Sequence, residues 1–324
     1  MARPLRIEYP GAYYHVMNRG IAREAVFPAT KDKEKFLEYL SGVADRFATL
    51  IHAYCIMGNH YHLLLQTPQA NLSSAIQWLN VSYAVFYNRL HDRSGHVFGG
   101  RFKALLIEAE EYLTSLSRYI HLNPVRAGIV RRPQDYPWSS YPALVGSLKG
   151  PDWLETRGLL SYFGGNTKEA IKGYREYVEE VDVKEVTYPS KHALGGVVLG
   201  GKDFVKWIQE TFVSARREEK EIPQLRAIRP RISVETIVQA VCKEFDCAKE
   251  KILAKGLQRN RAREIAIFLS RSHSGVSSKN LGKFFGGVSG AAITMSCTEL
   301  NKGLARDKRL QDKMKRIEKE ILNF

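Results

Sequence analysis

Apolar and polar positions alternate through AYYHVMNRG, residues 12–20, and the run ends on a glycine, which predicts a strand closed by a turn. After Thr30, read as a helix N-cap, Phe36, Leu37, Leu40, Val43, Ala44 and Phe47 recur at helical spacing. Two apolar runs, LIHAYCIM and YHLLLQT, then flank Gly58-Asn59, a dipeptide suited to a tight hairpin. From Asn71 to His91 the positions Leu72, Ala75, Ile76, Leu79, Tyr83 and Phe86 predict a second long helix, and ALLIEAE at 104–110 predicts a fourth strand. Residues 110–123 set Leu113, Leu116 and Ile120 on one helical stripe, which Pro124 terminates. The sum over residues 1–150 is a small α+β domain, an antiparallel sheet covered by helices on one side.

Residues 151–215 read as an irregular and helical extension, with a helix at 167–181 and a Gly-interrupted strand and short helix within 191–212. Charge, two prolines and little periodicity mark 216–231 as a linker. Residues 232–324 look helical throughout. Amphipathic stretches at 232–247 and 261–272 precede two short helices, in SSKNLGKFFGG and SGAAITMSCTELNK, joined by a Gly-containing turn: the outline of a helix-turn-helix.

At 324 residues, two or more domains are expected. The formal charge of +15 points to a polyanionic partner, most often nucleic acid. The excess is uneven: residues 216–324 carry 24 Lys and Arg against 13 Asp and Glu, a net of +11 that leaves +4 for the rest. The C-terminal third is therefore the stronger candidate for a general nucleic-acid grip. Cys55, Cys242, Cys247 and Cys297 are widely spaced with no C-x-x-C pair, which suggests neither a disulfide framework nor a zinc knuckle. Pro4, Glu8 and Pro10 interrupt any signal-peptide core, and no apolar run approaches 18 residues. The expectation is a cytoplasmic, nucleoid-associated protein with no membrane partner.

On a strand, His60 and His62 share a face while Tyr61 takes the other. Two imidazoles on one face supply two corners of a metal site, or simply two polar groups at a strand edge. In SRYIHLNPVRAG, Tyr119 and Asn123 lie four apart on one helical face, setting a candidate nucleophile one turn from an amide oxygen. His121, two positions from Tyr119, is expected on a different face, as a surface or phosphate contact. Arg101 and Lys103, in the Gly-rich basic turn GGRFKA, are expected to contact backbone phosphate. Trp138 and Tyr141 of YPWSSY either stack on bases or pack against the core.

YHVMNRG, then GNHYHLLL, then RYIHLNPVRAG followed by YPWSSY, in that order and spacing over residues 5–150, resemble the single-tyrosine HUH transposase family, especially its REP-associated tyrosine transposase branch. The resemblance implies a ferredoxin-like antiparallel sheet with helices. It implies His60, His62 and Asn123 as ligands of Mg²⁺ or Mn²⁺ and Tyr119 as nucleophile, with Arg118 and Arg126 beside it as DNA contacts. It further implies nicking and rejoining of single-stranded or hairpin DNA through a 5′-phosphotyrosine. An ordinary tyrosine, of pKa about 10, is about one part in a thousand phenolate at neutral pH, so the site must assist, and no base is evident. Two other readings stay open: a binding protein that keeps the fold with negligible cleavage, and a histidine-dependent RNA nuclease. Small relatives form dimers in which the tyrosine helix may serve the partner's metal site, whereas the additions here favour a monomer; no oligomeric state is assigned.

RAREIAIFLSR and LGKFFGG, within 233–305, resemble the DNA-binding domain of the bacterial replication initiator DnaA. The resemblance implies a recognition helix and a basic loop that grip duplex DNA, with Arg259, Arg261, Arg263, Lys279 and Lys283 as contacts. Where that family carries Arg-Asp-His-Thr-Thr, this chain has Val288, Ser289, Gly290, Ala291 and Ala292. Small side chains cannot form bidentate base contacts, so altered or low sequence specificity is expected. A helical protein-interaction domain with a basic face is the alternative.

Overall fold

The computed structural model of the chain describes residues 6–165, 167–188, 193–213, 228, 231–254, 260–304 and 307–321. These fall into two compact units, Met1–Gln224 and Leu225–Phe324. Apart from Ile228 and Arg231, the expected linker at 216–231 lies outside the described residues.

The first unit is built on strands β1 (Ala12–Arg19), β2 (Leu50–Ile56), β3 (His60–Thr67), β4 (Lys103–Ile107) and the two-residue β5 (Val198–Leu199), in the sheet order β2-β3-β1-β4-β5. All neighbours are antiparallel except β4 and β5, which run parallel. Helix α1 (Thr30–Phe47) links β1 to β2, and α2 (Leu72–Leu90) links β3 to β4. Each crossover skips one strand, the doubled split βαβ of the ferredoxin-like arrangement. Ala29, not Thr30, caps α1, and the Asp32 carboxylate at the third helical position accepts the Ala29 N–H at 2.9 Å, one half of a capping box.

Helices cover both faces of the sheet rather than the single face expected. Tyr61 through Leu65 are buried without alternation, as both faces of a central strand must be when each is packed. On one face the Tyr61 ring meets Phe36 of α1, centroids 4.8 Å apart, and Phe36 meets Tyr83 of α2. On the other, Leu113, Leu116 and Ile120 of α3 (Ala109–His121) join Ala53, Cys55, Leu64, Leu105 and Ile107 in one apolar cluster. The strand expected at 104–110 stops at Ile107 because α3 starts at Ala109.

The chain beyond residue 150 continues into this second cluster. Leu159, Leu160, Val186 and Leu199 are buried in it, together with Tyr174 and Val178 of α4 (Lys168–Glu179). YPWSSY packs inward: Tyr141 is fully buried and donates its hydroxyl to Glu179 at 2.6 Å, and Trp138 lies against the same cluster.

In the second unit, α5 (Val234–Phe245), α6 (Arg261–His273), α7 (Ser278–Phe284), α8 (Gly290–Leu304) and α9 (Lys308–Ile321) close around Ile237, Val241, Ile265, Leu269, Leu281, Phe285, Ile293 and Ile317. Ser233 and Ser277 cap α5 and α7 by accepting the backbone N–H groups of Thr236 and Asn280. Among the described residues no helix is long and apolar enough to cross a membrane.

Candidate active site

The antiparallel register sets Met17 of β1 opposite His62, His15 opposite Leu64 and Arg19 opposite His60. Because side chains alternate, His15, Met17, His60 and His62 share the face that α3 covers. His60 and His62 stand with ring centroids 5.0 Å apart, nearly perpendicular. His15 lies parallel to His62, with its Nε2 2.9 Å from the His62 Nδ1. Its Nδ1 is 2.8 Å from the hydroxyl of Tyr188.

Tyr119, on the last turn of α3, faces this cluster from above. Its ring is edge-on to His62 at 5.8 Å and packs against Tyr188 at 5.0 Å. The helix breaks at Leu122, and Asn123 starts a separate single turn, Asn123–Arg126. Arg126, seven positions beyond Tyr119, lies over its ring, with the guanidinium 4.8 Å from the centroid.

The donor set fits a divalent cation. Burial pulls the His60 imidazole down to about 4, with Arg19 adding to the shift, and burial followed by the neighbouring imidazoles pulls His62 well below the usual range. Both are therefore neutral near pH 7, as ligands must be. His60 uses Nδ1 on the Asn59 side-chain oxygen at 2.6 Å, and His62 uses Nδ1 on His15, which leaves both Nε2 atoms as donors. Asn123 spends its Nδ2 on the carbonyls of Tyr119 and Ile120, at 3.0 and 3.4 Å, leaving the amide oxygen. No group of three His, Cys, Asp or Glu forms a metal site among the described residues; the third donor expected here is an amide.

His121 does leave the Tyr119 face, but it reaches neither surface nor phosphate. It is fully buried, bonded to the Tyr174 hydroxyl at 2.7 Å and the Ser140 Oγ at 2.8 Å, and burial lowers its pKa to about 3. Arg118 is directed into the protein, its guanidinium 4.3 Å from the Tyr177 ring and donating to the Tyr177 carbonyl. Arg101, on a loop held at the end of β1 where the Gly99 N–H donates to the Arg19 carbonyl at 2.9 Å, and Lys103, the first residue of β4, are both exposed.

In the second unit, α7 and α8 form the helix-turn-helix. A Cβ at Gly282 would strike the Val288 carbonyl oxygen, and the Val288 N–H donates to the Gly282 carbonyl at 3.0 Å, so the turn closes on a bare α-carbon. Arg263 points inward, donating to the carbonyls of Ile252 and Phe285 at 2.6 and 2.7 Å. Arg261, Lys279 and Lys283 are exposed, Arg261 paired with Glu264, and Arg259 lies outside the described residues.

Comparison with known proteins matches residues 8–123 to the IS200-like transposase family. A putative REP-associated tyrosine transposase of Haemophilus influenzae is 31% identical over 133 residues, which span 37% of this chain and 70% of that protein. The chain belongs to the IS200-like transposase family. Ser140, Tyr174 and Tyr188 lie beyond the matched segment, so part of the site's surroundings is built from chain outside it. Residues 234–299 match the bacterial DnaA helix-turn-helix, and the DnaA of Bacteroides thetaiotaomicron is 30% identical over 89 residues. These are 27% of this chain and 19% of that initiator, so the chain spans about a fifth of its length. The solved structure of a REP-associated tyrosine transposase bound to a REP hairpin covers 48% of this chain and 92% of its own, at 19% identity and a TM-score of 0.40.

Sequence reasoning passed over His15 and Tyr188. His15 carried a usable signal, the odd-numbered alternation of β1 that puts it on the inner face with Met17. Tyr188 carried none.

Proposed function

We propose that the chain nicks and rejoins single-stranded DNA, in or beside a hairpin, with Tyr119 as nucleophile. The observation that supports this most is the edge-on approach of Tyr119 to His62 within one chain. The Tyr119 oxygen attacks the scissile phosphorus, the P–O3′ bond breaks, the phosphate remains on tyrosine as a 5′-phosphodiester, and the 3′ oxygen takes up a proton. Rejoining is the reverse attack by a 3′-hydroxyl. Mg²⁺ or Mn²⁺ held by His60, His62 and Asn123 would supply Lewis acidity toward a non-bridging phosphate oxygen. The guanidinium of Arg126, over the Tyr119 ring, would stabilise negative charge on the phosphate in the transition state. Exposed Arg101 and Lys103 would hold the phosphate backbone at the mouth of the site.

The second unit would grip duplex DNA through α7 and α8, with Arg261, Lys279 and Lys283 on phosphate. Tethering two modest grips raises the effective concentration of strand at the nicking site. The face of α8 begins with Gly290, Ala291 and Ala292, so base discrimination there is expected to be weak.

Wild-type protein incubated with labelled hairpin-bearing single strands and Mn²⁺ should form a denaturant-resistant protein–DNA adduct that Tyr119→Phe lacks. An adduct retained by Tyr119→Phe, or formed equally with matched RNA, would overturn the proposal.

A further inference from the structure

We infer that Tyr188 is a positioning residue of the nicking site, the far end of a hydrogen-bonded chain through His15 that sets the His62 ring for metal and braces the nucleophile. The inference rests on the proposed nicking function and assigns a role within it to the extension beyond the family segment.

The chain is short, buried at His15 and His62 and half-buried at Tyr188. His15 is enclosed, and its two ring nitrogens are both engaged, Nε2 at 2.9 Å from His62 Nδ1 and Nδ1 at 2.8 Å from the Tyr188 hydroxyl. Each neutral imidazole has one donor and one acceptor nitrogen, so the two bonds cannot be polarised independently. If His62 offers its Nε2 lone pair to a cation, its proton sits on Nδ1 and is donated to His15 Nε2. His15 must then carry its own proton on Nδ1 and donate it to the Tyr188 oxygen. In the opposite polarity Tyr188 donates to His15, His15 donates to His62, and the His62 Nε2 carries a proton and cannot bind metal. The Tyr188 hydroxyl, able to act as acceptor, is what lets the buried pair settle in the ligand-competent direction.

Tyr188 also touches the nucleophile. Its ring lies 5.0 Å from that of Tyr119, tilted by 38°, while His15 stands 6.4 Å from Tyr119 and 5.2 Å from Tyr188. One side chain thus joins the metal side of the site to the nucleophile side. Replacing it with phenylalanine keeps the ring contact and deletes only the hydroxyl.

The test is Mn²⁺ binding to the full chain, followed by the paramagnetic signal of free Mn²⁺, in wild type, Tyr188→Phe and His62→Ala. Loss of a direct partner of a metal-bound histidine typically weakens affinity by about 10–100-fold, and Tyr188→Phe, one hydrogen bond further out, should weaken it by about 10-fold, the low end of that range. Its rate of adduct formation should return toward wild type as Mn²⁺ is raised, a split between metal affinity and maximal rate that a loss of folding would not produce. Tyr188→Phe with wild-type Mn²⁺ affinity, beside a His62→Ala that binds none, overturns the inference and leaves the nicking proposal standing. Absence of Mn²⁺ binding by wild type, or full binding by His62→Ala, removes the metal site itself and the inference with it. Should Tyr188→Phe fail to fold, nitrogen chemical shifts of wild-type histidines in Mg²⁺ decide: protonated Nδ1 and bare Nε2 on His15 support the assignment, and the reverse overturns it.

Discussion

Tyr119 approaches His62 of its own chain edge-on, with 5.8 Å between ring centroids. The break at Leu122 ends α3 one turn beyond Tyr119, and β3 holds His62 fully buried beneath it, so a single chain brings this tyrosine and this histidine together. Mixing Tyr119→Phe protein with His60→Ala/His62→Ala protein should therefore yield no covalent adduct at any ratio. Restored adduct in the mixture would show that the nucleophile serves a partner's metal site.

Arg126 sits over the Tyr119 ring, and a cation over an aromatic face contributes about 0.5–2 kcal/mol, or roughly 2–30-fold in rate if it acts in the transition state. Arg126→Gln should slow adduct formation within that range at saturating DNA and Mn²⁺. A defect that disappears when DNA is saturating would make Arg126 a phosphate contact only.

Gly282 is a steric requirement of the helix-turn-helix, since any Cβ there meets the Val288 carbonyl oxygen. Gly282→Ala should destabilise the second unit by about 2 kcal/mol or more and abolish its share of duplex binding, while adduct formation on short single strands persists. Thermal unfolding read separately for the two units, beside an adduct assay, checks both halves.

His52 lies buried at the irregularity where β2 slips register against β3, stacked on Tyr13 at 5.4 Å. Burial lowers its pKa below 6.5, opposed in part by Glu155. The unfolded chain binds this proton as pH falls through about 6.5 while the folded chain resists it, so the contribution is complete above 6.5 and is lost on acidification. His52→Phe should gain stability relative to wild type as urea unfolding is moved from pH 8 to pH 5. A difference that stays constant with pH would contradict the buried neutral assignment.

The hairpin carrying His60 and His62 was legible because period-two alternation and Gly58-Asn59 act locally, and Tyr119 with its helix because the apolar stripe and Pro124 do the same. What escaped was set by long-range contact. The second covered face of the sheet depends on α3 returning beneath it, and the inward turn of Arg263 on its bonds to the carbonyls of Ile252 and Phe285. His121 reads as a polar helix residue until Tyr174 and Ser140, 53 and 19 positions away, arrive to satisfy both its nitrogens. Tyr188 sits 173 positions from His15, and no local pattern announces that pairing.

The central claim is that the Tyr119 oxygen becomes covalently joined to DNA. Wild-type protein reacted with a hairpin-bearing single strand and Mn²⁺, trimmed with nuclease and protease, should give a peptide containing Tyr119 heavier by a 5′-linked nucleotide. The added mass on Tyr188 or another residue, or no modified peptide from protein that binds both Mn²⁺ and the strand, would contradict it.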